Sequence, residues 1–219
     1  MGEKGVLDAA QYEADHRIAN HLAMISGLLR NRANGLKRRT GHVTPNEALG
    51  ILEEVAFQIE VIASLHKLLS RRAYGGQIEL DQYLRSVCNA AIPSLSIIGR
   101  VTPRLELNCG RFVAPDFAVS IALAVAELLT NAIKYAHPAG VDGKIVVTAM
   151  TSGDRLLVEV ADDGVGLPEG YDPTAAGGLG LRLVRQTAAR WGGSVEFDAS
   201  ELGLCVRLDL PAEALLSKP

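Results

Sequence analysis

Glu127-Leu128-Leu129-Thr130-Asn131-Ala132-Ile133-Lys134-Tyr135-Ala136 closes a long apolar run that begins near Phe117. The run predicts a helix from about Asp116 to Ala136. On a helix, Glu127, Asn131 and Lys134 fall at i, i+4 and i+7 and stand above one another on a single face. A carboxylate, an amide and an ammonium in line suit a nucleotide polyphosphate with its metal, because magnesium takes oxygen ligands and phosphate takes cations. Alone, such a trio is an ordinary solvated face. Two glycine-bearing stretches further along the chain change that reading.

Past this helix, a strand rich in Leu and Val runs into Asp162-Asp163-Gly164-Val165-Gly166-Leu167-Pro168. There Asp163 can accept a hydrogen bond from an exocyclic amine, while Gly164 and Gly166 let a planar base approach the backbone. Next, Gly177-Gly178-Leu179-Gly180 opens a helix expected over Leu181 to Trp191, offering free amides and a helix N-terminus to phosphate. Each element is weak by itself. A helix, a strand, a loop and a second helix carrying them in this order are a specific signal.

Around these motifs the pattern predicts a helix over Leu80 to Leu95, a strand over Arg104 to Asn108 and two hairpins. One hairpin pairs Lys144 to Met150 with Arg155 to Ala161. The other pairs Ser194 to Ala199 with Leu204 to Leu210. This half is therefore an α/β sandwich with a largely antiparallel sheet.

The N-terminal half reads differently. Ala14, Ile18, Leu22, Ile25 and Leu29 alternate at spacings of four and three within a helix over residues 9 to 33. A second helix opens at Thr44-Pro45-Asn46-Glu47, where Thr44 can cap, Pro45 fits the first turn and Glu47 can complete a capping box. Its stripe of Ala48, Leu52, Val55, Ile59, Ile62 and Leu69 continues to about Arg72. Two helices joined by a loop from Asn34 to Val43 make an antiparallel hairpin. Because a hairpin hides only part of its apolar surface, pairing with a second copy as a four-helix bundle is the expected stable form. The alternative is a monomer in which the C-terminal domain covers the hairpin. The fold class is thus α+β, with residues 1–73 as the hairpin, 74–219 as the sandwich, and Tyr74-Gly75-Gly76 at the joint.

Composition excludes several classes. The chain of 219 residues has a formal net charge of -3, 48% hydrophobic and 21% charged residues. These values fit a folded globular chain and provide no global field for nucleic acid or an anionic membrane. Cys88, Cys109 and Cys205 are scattered and lack metal or redox spacing, as expected of core thiols in a reducing compartment. There is no signal-peptide pattern, and the longest apolar window, Phe117 to Leu129, is short for a membrane span. A cytoplasmic location is expected.

With these residues in place, the C-terminal half resembles the ATP-binding domain of sensor histidine kinases and of the wider gyrase, heat-shock chaperone and mismatch-repair ATPases, the GHKL or Bergerat fold. Glu127 to Ala136 look like its asparagine box. Asp163 to Gly166 and Gly177 to Gly180 look like its two glycine boxes. The resemblance implies that Asn131 binds magnesium, Lys134 a phosphate and Asp163 the adenine amine. It further implies that Tyr135 lies against the base and that Glu127 supports the metal or a proton transfer, with Glu169 to Ala176 as a lid over ATP. Gly178 stands where Ser or Thr is common, which removes one candidate phosphate contact.

The N-terminal stretch Asp15-His16-Arg17-Ile18-Ala19-Asn20 resembles the phosphoacceptor helix of the histidine kinases marked by His-Arg-x-x-Asn, whose members often serve bacterial general stress responses. His16 lies two positions before Ile18, roughly 200° around a helix, and so faces away from the seam. His21 and His66 border the apolar stripes and read as packed. The tandem likeness covers about residues 9 to 211.

These observations lead to a protein histidine kinase. His16 attacks the γ-phosphate of magnesium ATP, Asp15 or a nearby carboxylate takes the imidazole proton, and the phosphoryl group passes to an aspartate on a response-regulator receiver domain. No sensory domain precedes His16 in this sequence, which leaves two readings open, a sensory segment absent from this stretch of chain or a sensory partner acting in trans. A histidine phosphotransfer protein with a degenerate ATPase-like domain is the alternative. An ATP-dependent switch or serine kinase is a third reading, which leaves His16 and its hairpin unexplained.

Overall fold

The computed structural model describes residues 42–70, 77–95, 103–136, 143–173, 179–200 and 202–211, together with 19, 22–23, 25–27, 29–30 and 33–37. The chain divides into two compact units, Met1–Ile59 and Glu60–Pro219. The expected boundary between residues 73 and 74 lies outside the described residues.

In the first unit, every described position between 19 and 37 is helical; helix α1 (Pro45–Ser70) begins in this unit, at the proline that sequence places at its first turn, and its residues from Glu60 onward belong to the second. Ala48 N–H donates to Thr44 O at 3.0 Å, closing that turn. The apolar stripe expected along α1 is split. Val55 and Ile62 are buried, whereas Leu52 and Ile59 are exposed along with Leu49. Val55 and Ile59 are only about 40° apart around the helix, so one apolar stripe is covered along one edge and open along the other.

The second unit is a layer of helices on a five-stranded sheet. Its elements are β1 (Ile78–Glu79), α2 (Leu80–Leu95), β2 (Arg104–Asn108), β3 (Phe112–Val113), α3 (Pro115–Tyr135), β4 (Ile145–Ser152), β5 (Arg155–Asp162), α4 (Leu179–Arg190), β6 (Ser194–Ser200) and β7 (Gly203–Pro211). The sheet order is β2-β4-β5-β7-β6, with β2 parallel to β4 and every other pair antiparallel. Both expected hairpins form, β4 with β5 and β6 with β7. The short β1 and β3 pair with each other, and Asp81 at the start of α2 accepts hydrogen bonds from Cys109 N–H (3.0 Å) and Gly110 N–H (2.9 Å).

Helix α3 packs between α2 and α4 and over β5. Phe117 through Thr130 are all buried, then Ala132 and Ile133. The helix has the length and apolar composition to cross a bilayer, more than the short window Phe117 to Leu129 conveys, yet 89% of its apolar window is buried inside the fold. Burial on all sides by protein is what makes a core helix apolar all round. The strands beneath it alternate. On β5, Leu156, Val158 and Val160 face inward and the residues between them are half-exposed. Tyr83 on α2 is fully buried and its hydroxyl donates to Val61 O at 2.8 Å, tying the end of α1 that belongs to this unit to the core.

Candidate functional site

Near its C-terminal end α3 stops being buried all round. Glu127 is still buried, Asn131 and Lys134 are half-buried, and Tyr135 is 66% exposed. The helical spacing does align the carboxylate, amide and ammonium on a face that opens toward the end of the helix.

Helix α4 meets this face. It starts at Leu179, earlier than the expected Leu181, so Gly180 lies within its first turn. A Cβ built on Gly180 would overlap Glu127 Oε2 and lie 3.2 Å from Glu127 Cδ and 3.7 Å from Asn131 Nδ2. The second glycine box thus delivers a helix N-terminus, with its uncommitted amides, directly onto the asparagine box. Gly177 and Gly178 lie outside the described residues, as does the side chain of Leu179.

The first glycine turn packs against the other end of the same region. A Cβ on Gly164 would overlap the Ala136 backbone, and Val165 N–H donates to Ala136 O at 3.0 Å. Gly166, at φ 68°, would collide with Ser200 O, and Gly203, at φ 126°, with Asp162 O. Close approach of backbone to backbone accounts for glycine at 164 and 166.

The two consecutive aspartates point to different places. Asp163 is exposed; its Oδ1 accepts Lys144 N–H at 2.7 Å while its own N–H donates to Lys144 O at 3.2 Å, so it ties the end of β5 to the start of β4. Asp162 continues the inward face of Leu156, Val158 and Val160. Its Oδ1 accepts from Gly164 N–H (3.0 Å) and Leu204 N–H (3.3 Å), an arrangement that holds the carboxylate rigidly at the strand tip. Sequence reasoning singles out Asp163, whereas the alternation of β5 turns Asp162 toward the half-buried inner face and leaves Asp163 exposed.

Beyond Gly166 the chain makes a compact loop. Tyr171 N–H donates to Pro168 O at 3.0 Å, Gly170 takes φ 73°, and the Arg185 guanidinium of α4 donates to Pro173 O. Among the described residues no three His, Cys, Asp or Glu side chains cluster as a self-sufficient metal site. The oxygen donors of Glu127 and Asn131 fit a magnesium ion whose other ligands are phosphate oxygens and water. Asp15 and His16, the expected phosphoacceptor pair, lie outside the described residues.

A helix-on-sheet sandwich that sets an asparagine-bearing core helix against a glycine-opened helix N-terminus defines a nucleotide-binding domain of the Bergerat class. Comparison narrows the class. The family described as histidine kinase-, DNA gyrase B- and HSP90-like ATPase matches residues 118–214, and a histidine kinase family matches residues 13–95. The sensor histidine kinase PdtaS of Mycobacterium tuberculosis is 33% identical over 210 residues, 93% of this chain and 40% of that protein. Blue-light-activated histidine kinase 2 of Erythrobacter litoralis is 30% identical over 211 residues, 94% of this chain and 58% of that protein. The solved histidine kinase domain of the Erythrobacter litoralis EL346 blue-light-activated histidine kinase superposes with a TM-score of 0.65 at 26% identity, covering 87% of this chain and 97% of that one. The chain belongs to the histidine kinase family and carries an ATP-binding domain of its ATPase type. It spans 40% of the length of its mycobacterial relative.

Proposed function

We propose that the chain is an ATP-dependent protein histidine kinase that phosphorylates its own His16 and passes the phosphoryl group to an aspartate on a response-regulator receiver domain. The observation that carries this reading is the seating of Gly180, at the N-terminus of α4, against Glu127 and Asn131. It supports a polyphosphate lying between free helix amides and an oxygen-donor face, with Lys134 half-buried further along that face.

In this reading Asn131 and Glu127 hold magnesium, which when bound offsets the phosphate charge. Lys134 takes a phosphate oxygen, and Tyr135 closes over the base. We assign the adenine amine to Asp162 in place of Asp163, because Asp162 faces inward and Asp163 is committed to Lys144. Neutral His16 attacks the γ-phosphorus through Nε2, the bond to the ADP oxygen breaks, and the Nδ1 proton goes to Asp15 or a neighbouring carboxylate. Catalysis is then mostly positioning of the imidazole and the terminal phosphate.

The exposed Leu49, Leu52 and Ile59 of α1 support a homodimer in which this face meets a second copy. Use of ATP supports a cytoplasmic working place. The deciding experiment is autophosphorylation with γ-labelled magnesium ATP followed by addition of a receiver domain. Acid-labile label on the wild type, none on His16→Ala despite unchanged nucleotide binding, and transfer to the receiver are expected. Acid-labile label persisting on His16→Ala would overturn the assignment, and absence of any nucleotide binding would favour the phosphotransfer alternative.

A further inference from the structure

The loop that joins the first glycine turn to α4 is held from an unexpected direction. Leaving Gly166, the chain turns through Pro168 to Tyr171 on a 3.0 Å backbone bond and passes Gly170 in the left-handed region. Arg185, on α4, then reaches back and donates through Nη1 to the Pro173 carbonyl. Pro173 lies six residues before Leu179, the first residue of α4, and Arg185 lies further along that helix than Gly180, which abuts Glu127 and Asn131. One side chain thus binds the loop to the helix whose N-terminus forms the phosphate end of the site.

We infer that Arg185 is a positioning residue for nucleotide retention, fixing the 168–173 loop against α4 so that it is preorganised when ATP arrives. The inference rests on the reading that this domain binds ATP. A loop that must be ordered on binding subtracts its ordering entropy from affinity, and a tether already present in the free protein removes part of that cost. A half-exposed, charge-assisted hydrogen bond of this kind corresponds to about a three- to tenfold effect on nucleotide release. Arg185 acts through the loop and not on the reacting atoms. Its loss therefore registers in the ATP concentration dependence and not in the maximal rate.

The test uses the full chain. Release of a magnesium-bound fluorescent ATP analogue is followed by stopped flow, and autophosphorylation is measured over a range of ATP concentrations. Arg185→Ala is expected to release the analogue about three- to tenfold faster, to raise KM for ATP by the same factor, and to keep the maximal rate within about twofold. Arg185→Lys, which keeps one donor, recovers part of the change and replaces the alanine variant should that one melt early. In a chain from which residues 169–173 are deleted, so that the Pro173 carbonyl is gone with the loop, Arg185→Ala adds no further effect. Unchanged release in Arg185→Ala and Arg185→Lys alongside a wild type that binds overturns the inference alone. The full effect persisting in the shortened chain also overturns it, because the guanidinium would then act other than through this loop. A wild type that binds no analogue overturns the ATP site and this inference together.

Discussion

Gly180 on α4 and Glu127 on α3 compete for one space: a methyl group at position 180 would occupy the place of the Glu127 Oε2 atom. The glycine is helical and not at positive φ, so its absence of a side chain answers to its neighbour and not to its backbone.

Gly180→Ala consequently separates stability from activity. Alanine improves helix propensity by about 1 kcal/mol, and crowding a buried carboxylate costs about 1–3 kcal/mol, so the net stability change is small. The displaced Glu127, by contrast, stands where the metal and phosphate are positioned, and misplacement by about 1 Å can cost about a hundredfold in rate. Thermal melting within a few degrees of wild type and a phosphorylation rate lowered on the order of a hundredfold are expected. A variant that keeps full activity removes Glu127 from the reaction.

Gly166 of the first glycine turn and Gly203, which opens β7 beside it, behave in the opposite way. Gly203→Ala combines a left-handed backbone with collision against the Asp162 carbonyl, and Gly166→Ala does the same against Ser200. Each should lose about 3 kcal/mol or more in urea unfolding, as strain and overpacking add. Gly153 also has positive φ, but an added Cβ there meets nothing within 4 Å. Gly153→Ala should cost only about 1 kcal/mol. Equal losses at the three positions would show that backbone conformation alone, and not close packing, requires them.

Where burial has a period, the chain's fold is legible. The expected bounds of α2 and β2 coincide with the structure, and α3, α4 and both hairpins deviate by no more than a residue or two at their ends. The pair β1 and β3 escapes such reading because two-residue strands carry no period, and the parallel pairing of β2 with β4 joins elements far apart in sequence. On α1 the stripe is legible but its burial is not, because Leu52 and Val55 are equally apolar and only packing distinguishes covered from open. The asparagine and glycine boxes are legible as spacing. That Gly164 and Gly166 accommodate neighbouring backbone is not, since the contacts come from Ala136 and Ser200, distant in sequence.

Buried thiols predict an alkaline limit to stability. Desolvation pushes Cys88 from its ordinary 9.0 up to about 12, with the nearby Arg85 only partly offsetting it. Burial likewise raises Tyr83 and Cys109. In the window between pH 9 and 12 the folded state keeps the Cys88 proton and the unfolded state releases it. Stability is thus fully present below about pH 9 and declines as pH rises toward about 12, by roughly 1.4 kcal/mol per pH unit for each such group. Urea unfolding from about pH 7.5 to about pH 10.5 should show that decline, with a shallower slope above about pH 9 in Cys88→Ala. Identical slopes would mean that burial does not hold the Cys88 proton in the folded state.

On α1, Leu52 is 65% exposed in line with Leu49 and Ile59. Burying one leucine contributes about 1.5–3 kcal/mol, and a carboxylate in its place would be desolvated without a partner. Leu52→Glu should therefore weaken self-association at least about tenfold while leaving nucleotide binding by the second unit in place. Sedimentation at micromolar concentration measures this. A mass equal to wild type at every concentration would show that another surface joins the copies.

Asp162 and Asp163 supply the sharpest comparison because the two side chains are chemically identical and differ only in direction. Asp163→Asn keeps an oxygen able to accept Lys144 N–H, so it should cost less than about 1 kcal/mol of stability and leave ATP affinity nearly unchanged. Asp162→Asn keeps the oxygen that accepts from Gly164 and Leu204, so the fold again survives. Its new amide group, however, presents a donor where an adenine amine also donates. A lost charge-assisted hydrogen bond together with that repulsion should weaken ATP binding by about tenfold to a hundredfold in calorimetric titration. Guanosine nucleotides, which carry a carbonyl where adenine has its amine, should lose less or even gain. If Asp163→Asn abolishes binding and Asp162→Asn does not, the inward direction of β5's alternation is not what selects the base.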